Sequence, residues 1–292
     1  MITIYDHNTH PIWADIYRSR HESRNRTNGG YTYSCDIVKY HIPHIVPLLK
    51  KNTLITTVGM LTEKIVPKDT ELIIYYMHEN SEREFSNINN IVSWYKGNII
   101  FITSRYSVER ELKRLKLNVV HIPMSIDISA LADFTKSEKY NDKRVIYFGN
   151  KYLGKSGHFE QTKSTFIKNG WVFDEICYNK FNGINSLNKK EMFDILSKYR
   201  YGIAEGRCFL ELNALGVKTL ICASACQGII TNDIEFELHK LTNFADGKVW
   251  TFSKSIQECI DNFDKAIIKT VDVSEILPIL EKGIIEIIYA ND

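Results

Sequence analysis

Short apolar runs alternate along the chain with longer segments whose apolar positions recur at helical spacing. Residues 2–5, 54–58, 72–77, 98–103 and 119–122 form a first series of runs, and the third of them reads Leu-Ile-Ile-Tyr-Tyr-Met. An unbroken apolar run of that length predicts a parallel strand covered on both faces, since a half-exposed strand would alternate. Ser104 then caps a predicted helix whose register includes Val108, Leu112 and Leu115, with arginine and lysine on the other face. From about 131 to 143 the chain turns polar and reads as a linker. A second series follows, with strands predicted at 144–148, 171–176, 201–204 and 219–223. Helices are predicted at 158–168, 189–198, 209–215 and around 256–268 and 273–288. Two such series predict an α/β protein of two doubly wound domains facing a cleft, one over 1–135 and one over 136–292.

Composition narrows the classes. Of 292 residues, 44% are hydrophobic and 25% charged, which excludes a disordered, collagenous or coiled-coil chain. No apolar run approaches the ~20 residues of a membrane span. No basic stretch followed by an apolar core stands at the amino terminus, so a cytoplasmic location is expected. The formal net charge is only +2, so any nucleic-acid contact must come from a local patch. The six cysteines form no C-x-x-C pair and lie in apolar stretches, as buried reduced thiols do.

Four constellations carry candidate chemistry. After the strand at 144–148 comes a loop with Gly149, Gly154 and Gly157 and the lysines Lys151 and Lys155, leading into a helix. Glycines allow close backbone approach to a phosphate, and the helix start and the lysines supply positive charge. A flexible loop with solvated lysines fits the same letters. We read this loop as outside both the P-loop class and the G-x-G-x-x-G dinucleotide class. The second constellation is Ala204-Glu-Gly-Arg-Cys-Phe-Leu-Glu, which places Glu211 on the first turn of the predicted helix beyond Gly206 and Arg207. A carboxylate there can accept two ribose hydroxyls, or simply interact with the helix dipole. The third, Tyr75-Tyr-Met-His-Glu-Asn80, closes a strand, and His78 or Glu79 could take a proton from a hydroxyl or be a solvated side chain. The fourth, between 6 and 40, interleaves Trp13, Arg18, Arg20, Arg24, Arg26 and Tyr31. Such a set can hold phosphates and stack bases, pair with carboxylates, ring a sugar, or form a plain surface insertion.

The segment Glu211-Leu-Asn-Ala-Leu-Gly216 resembles the E-A-x-A-x-G signature of nucleotide-sugar glycosyltransferases of the GT-B fold. Gly206-Arg207 before it, Gly228-Ile-Ile-Thr-Asn followed by Asn243-Phe244, and His121-Ile-Pro-Met-Ser-Ile-Asp127 are similar in order and spacing. The resemblance implies a donor UDP-sugar with Glu211 on the ribose. Gly149, Lys151, Lys155, Gly206 and Arg207 would then lie around the diphosphate. The two glutamates of the retaining pattern stand eight apart, whereas Glu205 and Glu211 are six apart. No D-x-D occurs, so no visible motif calls for a divalent metal, and the UDP-sugar is expected as co-substrate with no tightly bound cofactor.

Bacteriophage DNA glycosyltransferases acting on 5-hydroxymethylcytosine are similar at three places: an acidic residue at Glu79, Ile146-Tyr147-Phe148-Gly149 with its basic loop, and the helix carrying Glu211. This implies double-stranded DNA with modified cytosine as acceptor, held by Trp13, Arg18, Arg20, Arg24, Arg26 and Tyr31, with Glu79 or His78 as base. Two alternatives stand beside it. One is a transferase of surface polysaccharide or lipid-linked glycan, whose membrane-facing basic helix would be 104–117 with Arg105, Arg110, Lys113, Arg114 and Lys116. The other is a nucleotide-sugar-binding module without catalysis.

Overall fold

The computed structural model describes residues 2–5, 40–49, 52–56, 61, 63–64, 66–77, 82–134, 138–149, 156–177, 180–183, 185–223, 226–241, 243–244 and 254–290. The elements run β1 (Ile2–Tyr5), α1 (Ile42–Ile45), β2 (Thr53–Thr56), β3 (Leu72–Met77), α2 (Glu82–Trp94), β4 (Asn98–Thr103), α3 (Tyr106–Arg114) and β5 (Asn118–His121). They continue with β6 (Arg144–Phe148), α4 (Ser156–Lys168), β7 (Val172–Cys177), β8 (Lys180–Phe181), β9 (Asn185–Ser186), α5 (Lys189–Leu196) and β10 (Tyr201–Ala204). The last are α6 (Gly206–Ala214), β11 (Lys218–Ala223), β12 (Cys226–Ile229), α7 (Asp233–Leu241), α8 (Ile256–Asp261) and α9 (Val273–Tyr289). No helix among the described residues is long and apolar enough to cross a membrane.

The chain divides into two compact units, Met1–Ile122 with Ser274–Asp292, and Pro123–Val273. In the first, β1 to β5 lie side by side in chain order and every pairing is parallel. β3 is buried from Ile73 to Met77, as its unbroken apolar run requires. One face of the sheet packs Ile73, Tyr75 and Phe101 against Ile88 and Ile91 of α2 and Val108 and Leu112 of α3. The final helix α9 belongs to this unit. Gly283 meets Val120 of β5 so closely that a Cβ there would lie 2.7 Å from Val120 Cγ1, and Glu281 lies 3.2 Å from His44 Nε2.

The second unit has the strand order β12-β11-β10-β6-β7-β8-β9, with β11, β10, β6 and β7 parallel and the rest antiparallel. Val145, Tyr147 and Ile203 share one face with Phe159 and Phe166 of α4. Gly202 points to the other face, where a Cβ would lie 2.7 Å from Leu212 Cδ1 of α6. Helices therefore cover both faces, as in a doubly wound sheet. The strand-order reversal of such a sheet is present here and absent among the described strands of the first unit.

Two boundaries differ from the sequence expectation. The polar stretch after 131 is not the linker. Lys139 Nζ donates to Leu215 O at 2.8 Å and Tyr140 N to Lys198 O at 2.7 Å, so this stretch is tied into the second unit, as is Met124 before it, whose N–H donates to Asn243 Oδ1 at 3.2 Å. The division falls at Ile122/Pro123 instead of 135/136, and the chain returns to the first unit through α9, so the C-terminal domain does not run to 292.

Candidate functional site

In an open α/β sheet, ligands bind at the carboxyl ends of the strands where the order reverses, because loops leaving adjacent strands there run in opposite directions. In the second unit that point lies between β6, whose connection leads to β7, and β10, whose connection leads to β11. Both strands end in a glycine step. Gly149 follows β6, its N–H donating to Ile176 O at 3.1 Å. A Cβ at Gly149 would stand 3.3 Å from the hydroxyl oxygen of Tyr147. Burial raises the Tyr147 pKa, with the thiols of Cys177, Cys222 and Cys208 adding to it, so its hydroxyl stays protonated.

After β10, Glu205 takes the N-cap position with extended backbone and no side-chain cap. Gly206 enters α6 at φ +57°, a left-handed conformation that glycine adopts without a steric penalty. Its N–H donates to Phe244 O at 2.9 Å. That carbonyl is aimed by an unusual pair: Asn243 and Phe244 have φ of 49° and 53° and are fully buried. Left-handed geometry at a phenylalanine costs ~1–3 kcal/mol. The Phe244 ring, stacked on Phe209 at 4.7 Å and against Phe236 at 5.3 Å, supplies packing that offsets it. Strain held this firmly beside a glycine-started helix is a pattern of functional sites. Asn243-Phe244 belonged to the sequence resemblance, but no pattern in the letters signals its backbone conformation.

α6 starts at Gly206, three residues earlier than its apolar spacing predicts, so Glu211 stands in the second turn and not the first. Arg207 Nε donates to Glu211 Oε1 at 3.0 Å, and their side chains are 16% and 9% exposed. The carboxylate expected on the ribose is thus already oriented by a cation one turn earlier. The i,i+4 spacing of Arg207 and Glu211 was the signal for this pair. Gly149, Gly206, Arg207 and Glu211 all fall on the β6 and β10 connections of this unit. Lys151 and Lys155, His78 and Glu79, and Trp13, Arg18, Arg20, Arg24, Arg26 and Tyr31 lie outside the described residues.

The arrangement offers an anion a helix start with no capping side chain, two glycine edges and a guanidinium. A depression of about 280 Å³ lined by Thr231, Lys254, Glu258, Asn262 and Lys265 lies elsewhere. Its Ile229 pairs with Leu220 in the first half of β11, at the amino edge of the parallel strands. The strand-order argument gives that edge no ligand role. No group of three metal-ligating side chains occurs among the described residues. No protein-family model matches the chain, and no curated protein matches it in sequence.

Proposed function

We propose that this chain is a GT-B-type glycosyltransferase that moves a sugar from a UDP-sugar to an acceptor hydroxyl, with 5-hydroxymethylcytosine in phage DNA as the acceptor. One observation carries the reading: the strand order reverses between β6 and β10, and glycines follow both strands at that point. Gly149 and Gly206 let the diphosphate approach the backbone. Arg207, with Lys151 and Lys155, offsets the charge that grows on the leaving nucleoside diphosphate. Glu211, oriented by Arg207, receives the ribose hydroxyls. Trp13, Arg18, Arg20, Arg24, Arg26 and Tyr31 hold the DNA. The acceptor oxygen bonds to the anomeric carbon as the bond from that carbon to the β-phosphate oxygen breaks. Glu79 or His78 takes the hydroxyl proton, and UDP leaves.

The test is mass spectrometry of nucleosides after incubation with a panel of UDP-sugars and duplex DNA, with and without 5-hydroxymethylcytosine. A sugar adduct on the modified base alone is expected, with Glu79→Ala lowering kcat and Glu211→Ala raising the donor KM. Hydrolysis of one UDP-sugar without a DNA adduct would move the acceptor to a glycan. Absence of both adduct and hydrolysis would overturn the reading.

A further inference from the structure

We infer that the loop after β6 is a P-loop that binds a nucleotide polyphosphate together with Mg²⁺. Its separation from the P-loop class does not survive the letters. Residues 149–156 read Gly-Asn-Lys-Tyr-Leu-Gly-Lys-Ser, which satisfies G-x-x-x-x-G-K-[S/T] at every specified position. Four specified letters are a weak signal by themselves, and the structural context is what gives them content. The signature must follow a strand and open a helix. β6 ends at Phe148, directly before the first glycine, and the final serine, Ser156, is the first residue of the 13-residue helix α4. In that setting backbone amides cradle the phosphates, the lysine of the signature reaches the β and γ groups, and the serine hydroxyl meets Mg²⁺. Those roles fall to Lys155 and Ser156.

A second group fits the same ion. P-loop enzymes supply an acidic residue beside the serine. β10 pairs with β6 in parallel, with Ile203 opposite Tyr147. Carried two residues on, that register sets Glu205 level with Gly149, at the end of the strand next to the signature. Mg²⁺ held by a hydroxyl, a carboxylate, phosphates and water needs no cluster of three protein ligands. The Mg²⁺ requirement replaces the expectation that no motif calls for a divalent metal. It also gives Glu205 a role that the glycosyltransferase resemblance does not. The inference rests on the second unit being a nucleotide site, and not on the group transferred.

Isothermal titration of the full chain with UDP, UTP, ATP and each UDP-sugar, in MgCl₂ and again in EDTA, tests it. Mg²⁺ should tighten nucleotide binding, and the preferred nucleotide distinguishes a triphosphate site from a sugar-donor site. Lys155→Ala should weaken binding roughly tenfold to hundredfold, since it removes a charge-assisted contact to phosphate. The loss should exceed that from Lys151→Ala, which falls at an unspecified position of the signature. Ser156→Ala and Glu205→Gln should abolish the Mg²⁺ enhancement, so that affinity becomes the same in MgCl₂ and in EDTA. Equal thermal melting of the variants shows that they are folded. If a UDP-sugar binds equally in EDTA and in MgCl₂, and Lys155→Ala weakens it no more than Lys151→Ala does, the P-loop is overturned, and the sugar-donor reading stands with either lysine serving the diphosphate. If no nucleotide binds under either condition, both fall.

Discussion

Both units are α/β with parallel strands at the centre of the sheet, yet among the described strands the second unit alone has the order that opens a ligand crevice. In the first, β1 to β5 follow chain order, so every connection between them steps the same way. In the second, the connections leaving β6 and β10 diverge, and backbone between them is left open. The glycines follow this difference. Gly149 and Gly206 stand at the ends of the two diverging strands, whereas Gly283 of the first unit lies within α9 and serves close packing on Val120. The two sheets thus differ in what they can hold because of topology.

The largest effect that would break this comparison comes from the pair inside the crevice unit. Removing Arg207 leaves the Glu211 carboxylate largely buried without its cation, a change that costs about 3 kcal/mol. Urea unfolding of Arg207→Ala should show that loss, and the double variant Arg207→Ala/Glu211→Ala should lose less than the sum of the singles. If Arg207→Ala unfolds like the wild type, Arg207 does not hold Glu211, and the carboxylate must be oriented by another group.

Acid should reveal a likeness between the units rather than a difference. His41 in the first and His239 in the second are both buried, and burial lowers each pKa from 6.5 to about 4. His44 lowers His41 further, while at His239 Glu235 opposes the burial and Lys254 adds to it. The unfolded chain therefore binds more protons than the folded one between the two pKa values. Stability is full above pH 6.5, falls as the pH falls, and levels below about 4. Each histidine accounts for about 3 kcal/mol of that loss. His41→Phe and His239→Phe should each flatten the pH dependence of urea unfolding by comparable amounts. A slope unchanged in both would mean that the rings titrate in the fold as they do in the unfolded chain.

How far the letters foretold this molecule depends on the range of the forces involved. The strands at 72–77, 98–103, 144–148 and 201–204 stand where their apolar runs put them, because burial on both faces writes itself directly into the sequence. The helix α2 is not legible in the pattern, since Glu82–Trp94 carries polar asparagines and serine between its apolar positions. The pattern around 256–268 predicts one helix, but α8 stops at Asp261. The return of α9 to the first unit depends on contacts such as Gly283 with Val120, which no local pattern encodes. At the site, the apolar spacing predicts a helix from 209, whereas α6 begins at Gly206, and this sets Glu211 one turn further into the helix than expected. The letters G-x-x-x-x-G-K-[S/T] at 149–156 are fully legible, and reading that loop as outside the P-loop class overlooks them although the strand and helix on either side are themselves predicted from the sequence.

The smallest effect on stability, and the sharpest on partner choice, is expected on α3. Residues 105–116 hold five cations and two carboxylates, a net of +3 against +2 for the whole chain. Glu109 turns inward, 2.6 Å from Lys113 Nζ and 3.8 Å from His121 Nδ1, with its side chain 12% exposed. Tyr106, Arg110 and Arg114 recur every four residues on the solvent side and are exposed. Val108 and Leu112 are fully buried in the unit's own core, so these two apolar positions are not free to enter a bilayer. Under the DNA-acceptor reading, the ridge fits a phosphodiester backbone. Arg110→Glu/Lys116→Glu alters exposed positions and should change stability by no more than ~0.5 kcal/mol. The same variant should lower the slope of log Kd against log salt for duplex DNA by about 2, the loss of two phosphate contacts. An unchanged slope would leave the acceptor to the arginines between 18 and 26, and a loss of binding to anionic vesicles with DNA unaffected would make the partner a lipid surface.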